Sequence, residues 1–155
     1  MKLRIKLHAY SREKKERETT KSIREVFKKL AQYKQEEDRL KADHWDSEKW
    51  KEYLEHLKPE WDEYCSTHRK EIALVMFDYM YNKRLNREQA VHKVEQAGAC
   101  PMLAGDLSYR VRMVLHDIDA KPGTYDYNMM VSELQRMDLT VDEVKEYIHY
   151  AGWRP

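Results

Sequence analysis

From Ile23 onward, apolar side chains recur every three or four residues, and each such run predicts an amphipathic helix. Ile23, Val26, Phe27, Leu30 and Tyr33, with Leu40 beyond them, mark a helix running to about residue 42. Asp46 or Ser47 can cap the next one, whose stripe is Trp50, Tyr53, Leu54 and Leu57. Pro59 interrupts that stripe and suits the first turn of a further helix. There Trp61, Tyr64, Cys65, His68, Ile72, Val75, Met76 and Tyr79 fall at spacings of three and four. Ile72 to Phe77 is the densest apolar run in the chain and predicts the central core helix. Asn86 caps a helix that Gly98 closes. Residues 99–105 read as a loop, and Asp106 starts a helix with Leu107, Val111, Val114, Leu115 and Ile118 inward. Lys121-Pro122-Gly123 is a turn. Tyr127, Met130, Val131, Leu134 and Met137 mark another helix. Thr140 caps the last, with Val141, Val144, Ile148 and Ala151 inward.

The start of the chain follows a different period. Leu3, Ile5 and Leu7 alternate with Lys2, Arg4 and Lys6, which is the pattern of one short β-strand, and the alternative is a first helical turn or a frayed terminus. A lone strand needs a partner, either a second copy in a homodimer or another protein. Residues 11–22 hold no apolar side chain, so they form a solvated helix held by i,i+4 pairs or a mobile linker. The expected architecture is all-α: a compact bundle of six or seven helices over residues 23–155, led by a basic, partly extended arm over residues 1–22.

Two stretches resemble each other. Residues 85–98 read LNREQAVHKVEQAG and residues 139–152 read LTVDEVKEYIHYAG. Each has Leu, a capping side chain, an acid two residues beyond the cap, a matching apolar pair and a closing Ala-Gly. A duplicated helical hairpin near 72–98 and 126–152 would produce this, and so would the shared preferences of short helices.

A chain of 155 residues makes one ordinary domain. With 41% apolar and 37% charged residues it is neither disordered nor collagen-like. No apolar run approaches a membrane span, and Met1 to Tyr10 lacks the core of a signal peptide. Two cysteines are too few for a disulfide framework, so a reducing cytoplasm is expected. Charge is unevenly placed: residues 1–41 hold 14 Lys/Arg against 7 Asp/Glu, and residues 42–155 hold 15 against 21. The leading end is cationic and the body mildly anionic.

No phosphate-binding loop, dinucleotide fingerprint, nucleophile elbow or HExxH motif is present. Cys65 and His68 lie i,i+3, yet a structural zinc site wants four ligands, and a buried thiol is the simpler reading. Glu146 and His149 form the Glu-x-x-His unit of di-iron bundles in a single copy, which reads as a solvated face. Val114-Leu115-His116-Asp117-Ile118 resembles the His-Asp segment of HD-domain phosphohydrolases. That resemblance implies a divalent metal on His92, His116 and Asp117, with Asp142 as a distant ligand, activating water for attack on a phosphate ester. The Gly-Lys that often follows the dyad is Asp119-Ala120 here, and a His near a helix C-terminus is ordinary.

The basic arm is the other candidate. Lys2, Arg4, Lys6, Arg12, Lys14, Lys15, Arg17 and Lys21 concentrate charge that attracts phosphate backbones without reading sequence. The alternating strand is similar to the ribbon of ribbon–helix–helix repressors, but residues 11–22 lack the core positions that family needs. Among the aromatic residues Trp45 sits outside any stripe and is the candidate exposed ring for stacking or a partner's hot spot. The expectation is a non-enzymatic binding or regulatory protein, an accessory factor of viral or mobile-element type. It needs no cofactor, and its partner is nucleic acid or an acidic protein surface.

Overall fold

The computed structural model describes the backbone over residues 2–42 and 47–152, with side chains described at residue 14 and over 17–42 and 47–151. Lys2–Ala42 forms one helix, α1, about 60 Å long at 1.5 Å per residue. Of the two readings of residues 2–7, strand or first helical turn, the helical one holds, and the backbone of the arm is continuous with the first core helix. The physical reason is backbone pairing. A lone strand leaves its N–H and C=O groups without partners, whereas a helix satisfies them internally. Leu, Lys, Arg and Glu are good helix formers, and residues 2–22 contain no Gly or Pro to interrupt a helix. With residues 2–7 helical, no strand edge is there to pair with a second copy.

The next rod begins with α2 (Ser47–Glu52), widens into a π-helical turn over Tyr53–Leu57 and continues as α3 (Lys58–Thr67). Pro59 accounts for the widening. It has no N–H, and its ring presses on the carbonyl four residues back, so the preceding turn opens and Lys58 N–H bonds the Tyr53 carbonyl. Only Tyr53 of the expected stripe is buried here, while Trp50 and Leu54 are 48% and 43% exposed. His68 (φ −107°, ψ 26°) then bends the chain into α4 (Arg69–Phe77), which ends in a second π-helical turn over Asp78–Asn82.

Next come α5 (Arg87–Gln96), α6 (Pro101–His116), α7 (Tyr125–Gln135) and α8 (Val141–Gly152). Counted as rods, these make seven among the described residues, and the fold is all-α. Residues 101–105, expected as loop, belong to α6. Pro101 sits at the first helical position, where its fixed φ fits and its missing N–H costs nothing, and the extended Cys100 (ψ 134°) precedes it.

Helix α4 is the centre, packed against α1, α3, α5, α6 and α8. Its Ile72, Ala73, Leu74, Met76 and Phe77 are all buried, as the dense apolar run requires. From α1 the core takes Val26, Leu30 and Tyr33, and from α3 it takes Trp61 and Cys65. Ion pairs pin the periphery: Arg69 grips Asp138 through two 3.0 Å bonds, and Lys70 pairs with Glu143. Burial pushes the Glu143 carboxyl up, but the Lys70 ammonium and the Thr140 hydrogen bonds outweigh it and hold the group below its ordinary value.

One turn seats α1 on the body. Gly98 closes α5 with φ +113°, and Ala99 N–H returns to the Val94 carbonyl at 2.8 Å. A Cβ at Gly98 would lie 2.4 Å from the Leu30 carbonyl oxygen, so glycine is what lets this turn meet α1 backbone to backbone. Trp61 Nε1–H donates to the Gly98 carbonyl at 2.8 Å, and the Trp61 ring stacks on Tyr33.

The two similar stretches begin with the same junction. Arg84 (φ 56°) and Asp138 (φ 59°), at corresponding places, both take the left-handed conformation just before Leu85 and Leu139. Asn86 with Gln89, and Thr140 with Glu143, then form reciprocal capping boxes.

Candidate nucleic-acid interface

On α1 the inward and outward faces are set by helical spacing. Val26, Leu30 and Tyr33 face the core. Lys14, Arg17, Lys21, Arg24 and Lys28 are spaced 3, 4, 3 and 4 apart, which puts them on one stripe. At 100° per residue that stripe lies about 180° from the core-facing one. All five are exposed, and none of the five is in an ion pair among the described residues. The contrast with the following turns is clear: Arg39 bonds Glu36 and Lys41 bonds Glu37. The stripe spans about 21 Å. Glu18 and Glu25 border it on one side, and Gln32 and Gln35 follow it.

Three of the eight cations expected from sequence, Lys14, Arg17 and Lys21, stand on this stripe. Lys2, Arg4, Lys6, Arg12 and Lys15 belong to the same helix, and their side chains lie outside the described residues, as does the whole of Trp45. Arg24 and Lys28 were hidden from sequence reasoning by the boundary drawn at residue 22. The 3,4 spacing of basic residues continuing past that boundary is the signal that reveals them.

Beside the core-facing side of α1 lies a groove of about 640 Å³. Its walls come from α1, the α2–α3 rod, α5 and the start of α6, with Trp61, Cys100 and Pro101 in its lining and Met102 at 91% exposure. Its charged residues oppose one another: Lys34 and Lys58 face Glu37, Asp62 and Glu95, and Lys58 bonds Asp62 at 3.0 Å. The Tyr53 hydroxyl donates to Glu37, and burial together with this carboxylate pushes the phenol well above its ordinary value. Such a wall has no net preference for an anion. The basic stripe, not the groove, carries the electrostatic character of the molecule.

The hydrolase constellation is not assembled. His92 is on α5, exposed and facing the groove. His116, its side chain 86% exposed, ends α6 with Nδ1 3.1 Å from Asp117 Oδ1, and Asp142 is on the exposed first turn of α8. Among the described residues no group of three or more His, Cys, Asp or Glu side chains is placed to hold a metal ion. His68 instead packs its ring on Tyr64, and Glu146 and His149 face solvent.

The two cysteines, 35 residues apart in sequence, meet. Cys100 Sγ lies 3.0 Å from Cys65 Sγ, and both thiols are free and buried. Sequence spacing offered no sign of this contact.

Set against family models, curated proteins and solved structures, the chain matches none. No helix among the described residues is long and apolar enough to cross a membrane.

Proposed function

We propose that this protein is a non-enzymatic binding factor of the cytoplasm that docks on the phosphate backbone of nucleic acid through the solvent face of α1. The observation that carries the reading is the stripe of Lys14, Arg17, Lys21, Arg24 and Lys28, exposed and free of ion pairs among the described residues. A helix of this width enters the major groove of a duplex, and about 21 Å of duplex presents about 12 phosphates to it. Five cations on one face supply phosphate contacts, which fix the helix on the duplex without reading its sequence. Core residues hold the stripe in place: Val26, Leu30 and Tyr33 anchor the helix on the body, and the Ser22 hydroxyl donates to Glu71 of α4 at 3.0 Å.

Affinity should then fall steeply with salt. Five phosphate contacts predict a slope of log affinity on log salt of about −4.5, a loss of about 500-fold between 50 and 200 mM. Each further contact from Lys2, Arg4, Lys6, Arg12 or Lys15 would steepen it by about 0.9. The test is a titration of the purified chain against duplex DNA and single- and double-stranded RNA at rising salt. Absence of binding to all of them at about 50 mM salt, where phosphate contacts are strongest, sinks the nucleic-acid reading. An acidic protein face would then be the remaining partner for the same stripe.

A further inference from the structure

We propose that Cys65 and Cys100 form a thiol–disulfide exchange site that is oxidised, through the groove, by a small-molecule disulfide. The inference rests on placement. The two sulfurs are 3.0 Å apart, so closing them to a bond takes about 1 Å of side-chain movement. They differ in access. Cys65 is 1% exposed in the last turn of α3, whereas Cys100 is 9% exposed and lines the groove. Both are held from behind. Cys65 is one turn along α3 from Trp61, and Cys100 follows the Gly98 turn that Trp61 and Leu30 clamp. The pair therefore cannot drift apart without unseating α1.

The chemistry balances within that geometry. The Cys100 thiolate attacks one sulfur of the incoming disulfide; its S–S bond breaks, a mixed disulfide forms on Cys100, and the first thiolate leaves through the groove. Cys65 Sγ, as thiolate, then attacks Cys100 Sγ and expels the second thiolate. Two electrons pass from the cysteine pair to the reagent, and the two protons of the pair end on the two released thiols. The hydrogen bond between the sulfurs lowers the Cys65 thiol, while the same bond, burial and the neighbouring Asp62 carboxylate raise that of Cys100, so the remaining proton rests on Cys100. That proton has to cross 3.0 Å to Cys65 before Cys100, the sulfur the reagent reaches, carries the charge and attacks.

The asymmetry makes the test specific. The reduced, folded full chain is incubated with excess oxidised glutathione and analysed by mass spectrometry with maleimide counting of thiols. Wild type is expected to lose two hydrogens, both thiols and no more, without adduct or dimer, and to regain both thiols with dithiothreitol. Cys65→Ser is expected to hold one glutathionyl group on Cys100, because the thiol that would displace it is gone. Cys100→Ser is expected to stay unmodified while folded. Retention of both thiols by the folded wild type, when the urea-unfolded chain reacts, overturns the proposal. So does accumulation of a glutathionyl adduct on wild type, or modification of Cys100→Ser as fast as Cys65→Ser. The wild-type measurement decides even if a variant fails to fold, and its result is independent of whether the basic stripe binds nucleic acid.

Discussion

Replacing Gly98 by Ala tests how α1 is attached to the body. At φ +113° an alanine is strained by about 1–3 kcal/mol. The added Cβ would also lie 2.4 Å from the Leu30 carbonyl oxygen and 2.6 Å from its carbon, which are backbone atoms with no flexible end to swing away. Relief requires the turn or α1 to retreat. Retreat stretches the 2.8 Å bond from Trp61 to the Gly98 carbonyl, worth about 1 kcal/mol, and loosens the packing of Leu30, which is fully buried. The expected loss is about 3–5 kcal/mol, a large part of the stability of an ordinary domain. With an unfolding entropy of about 2.1 cal/mol/K per residue, the melting temperature should fall by about 10–15 °C. Gly105→Ala is the internal control. Gly105 lies inside α6 with nothing within 4 Å of a new Cβ, so helix propensity alone should make that variant more stable by about 0.5–1 kcal/mol. Urea unfolding followed by far-ultraviolet circular dichroism measures both. A Gly98→Ala chain within about 1 kcal/mol of wild type would refute the close approach and, with it, the account of how the helix is seated.

Other expectations follow from the same contacts. Arg17→Gln with Lys21→Gln should flatten the salt dependence of nucleic-acid binding by about 2 and weaken DNA and RNA binding alike, with an unchanged melting temperature; a sequence-selective loss would argue against backbone docking. Trp61→Phe should cost about 1–3 kcal/mol in urea unfolding, since the buried Gly98 carbonyl loses its donor while the stack on Tyr33 largely survives. Stability should also fall in strong alkali. Burial, with the hydrogen bond to Glu60, pushes the Tyr33 phenol up to about 12 from an unfolded value near 10. The protonated form is the one the fold favours, so this contribution is whole below about pH 10 and lost as the pH rises toward 12. Tyr53, Tyr64 and Tyr79 shift the same way, so Tyr33→Phe should reduce the alkaline fall in urea midpoint without abolishing it. Identical pH profiles for wild type and variant would remove Tyr33 from the account.

Much of the fold was legible because helical periodicity is a local property. Ile72 to Phe77 announced the central helix, Asn86 and Thr140 announced their capping boxes, and the turn at Gly123 was readable from three residues. Where local pattern misled, backbone pairing decided. Leu3, Ile5 and Leu7 alternate as a strand would, but no second strand exists among the described residues, and the segment joins α1 instead. Pro59 and Pro101 were both visible, yet whether each starts a helix or widens one depends on the chain it joins. The concentration of charge in α1 was likewise a sequence property. That Lys14, Arg17, Lys21, Arg24 and Lys28 are exposed follows from which side of α1 the body occupies, and tertiary packing fixes that through Val26, Leu30 and Tyr33. The meeting of Cys65 with Cys100, and of Gly98 with Leu30, lay wholly beyond sequence reasoning. Periodicity tells a residue which way it faces on its own helix, whereas contacts between residues 35 or more apart depend on how the helices are arranged, which no local repeat encodes.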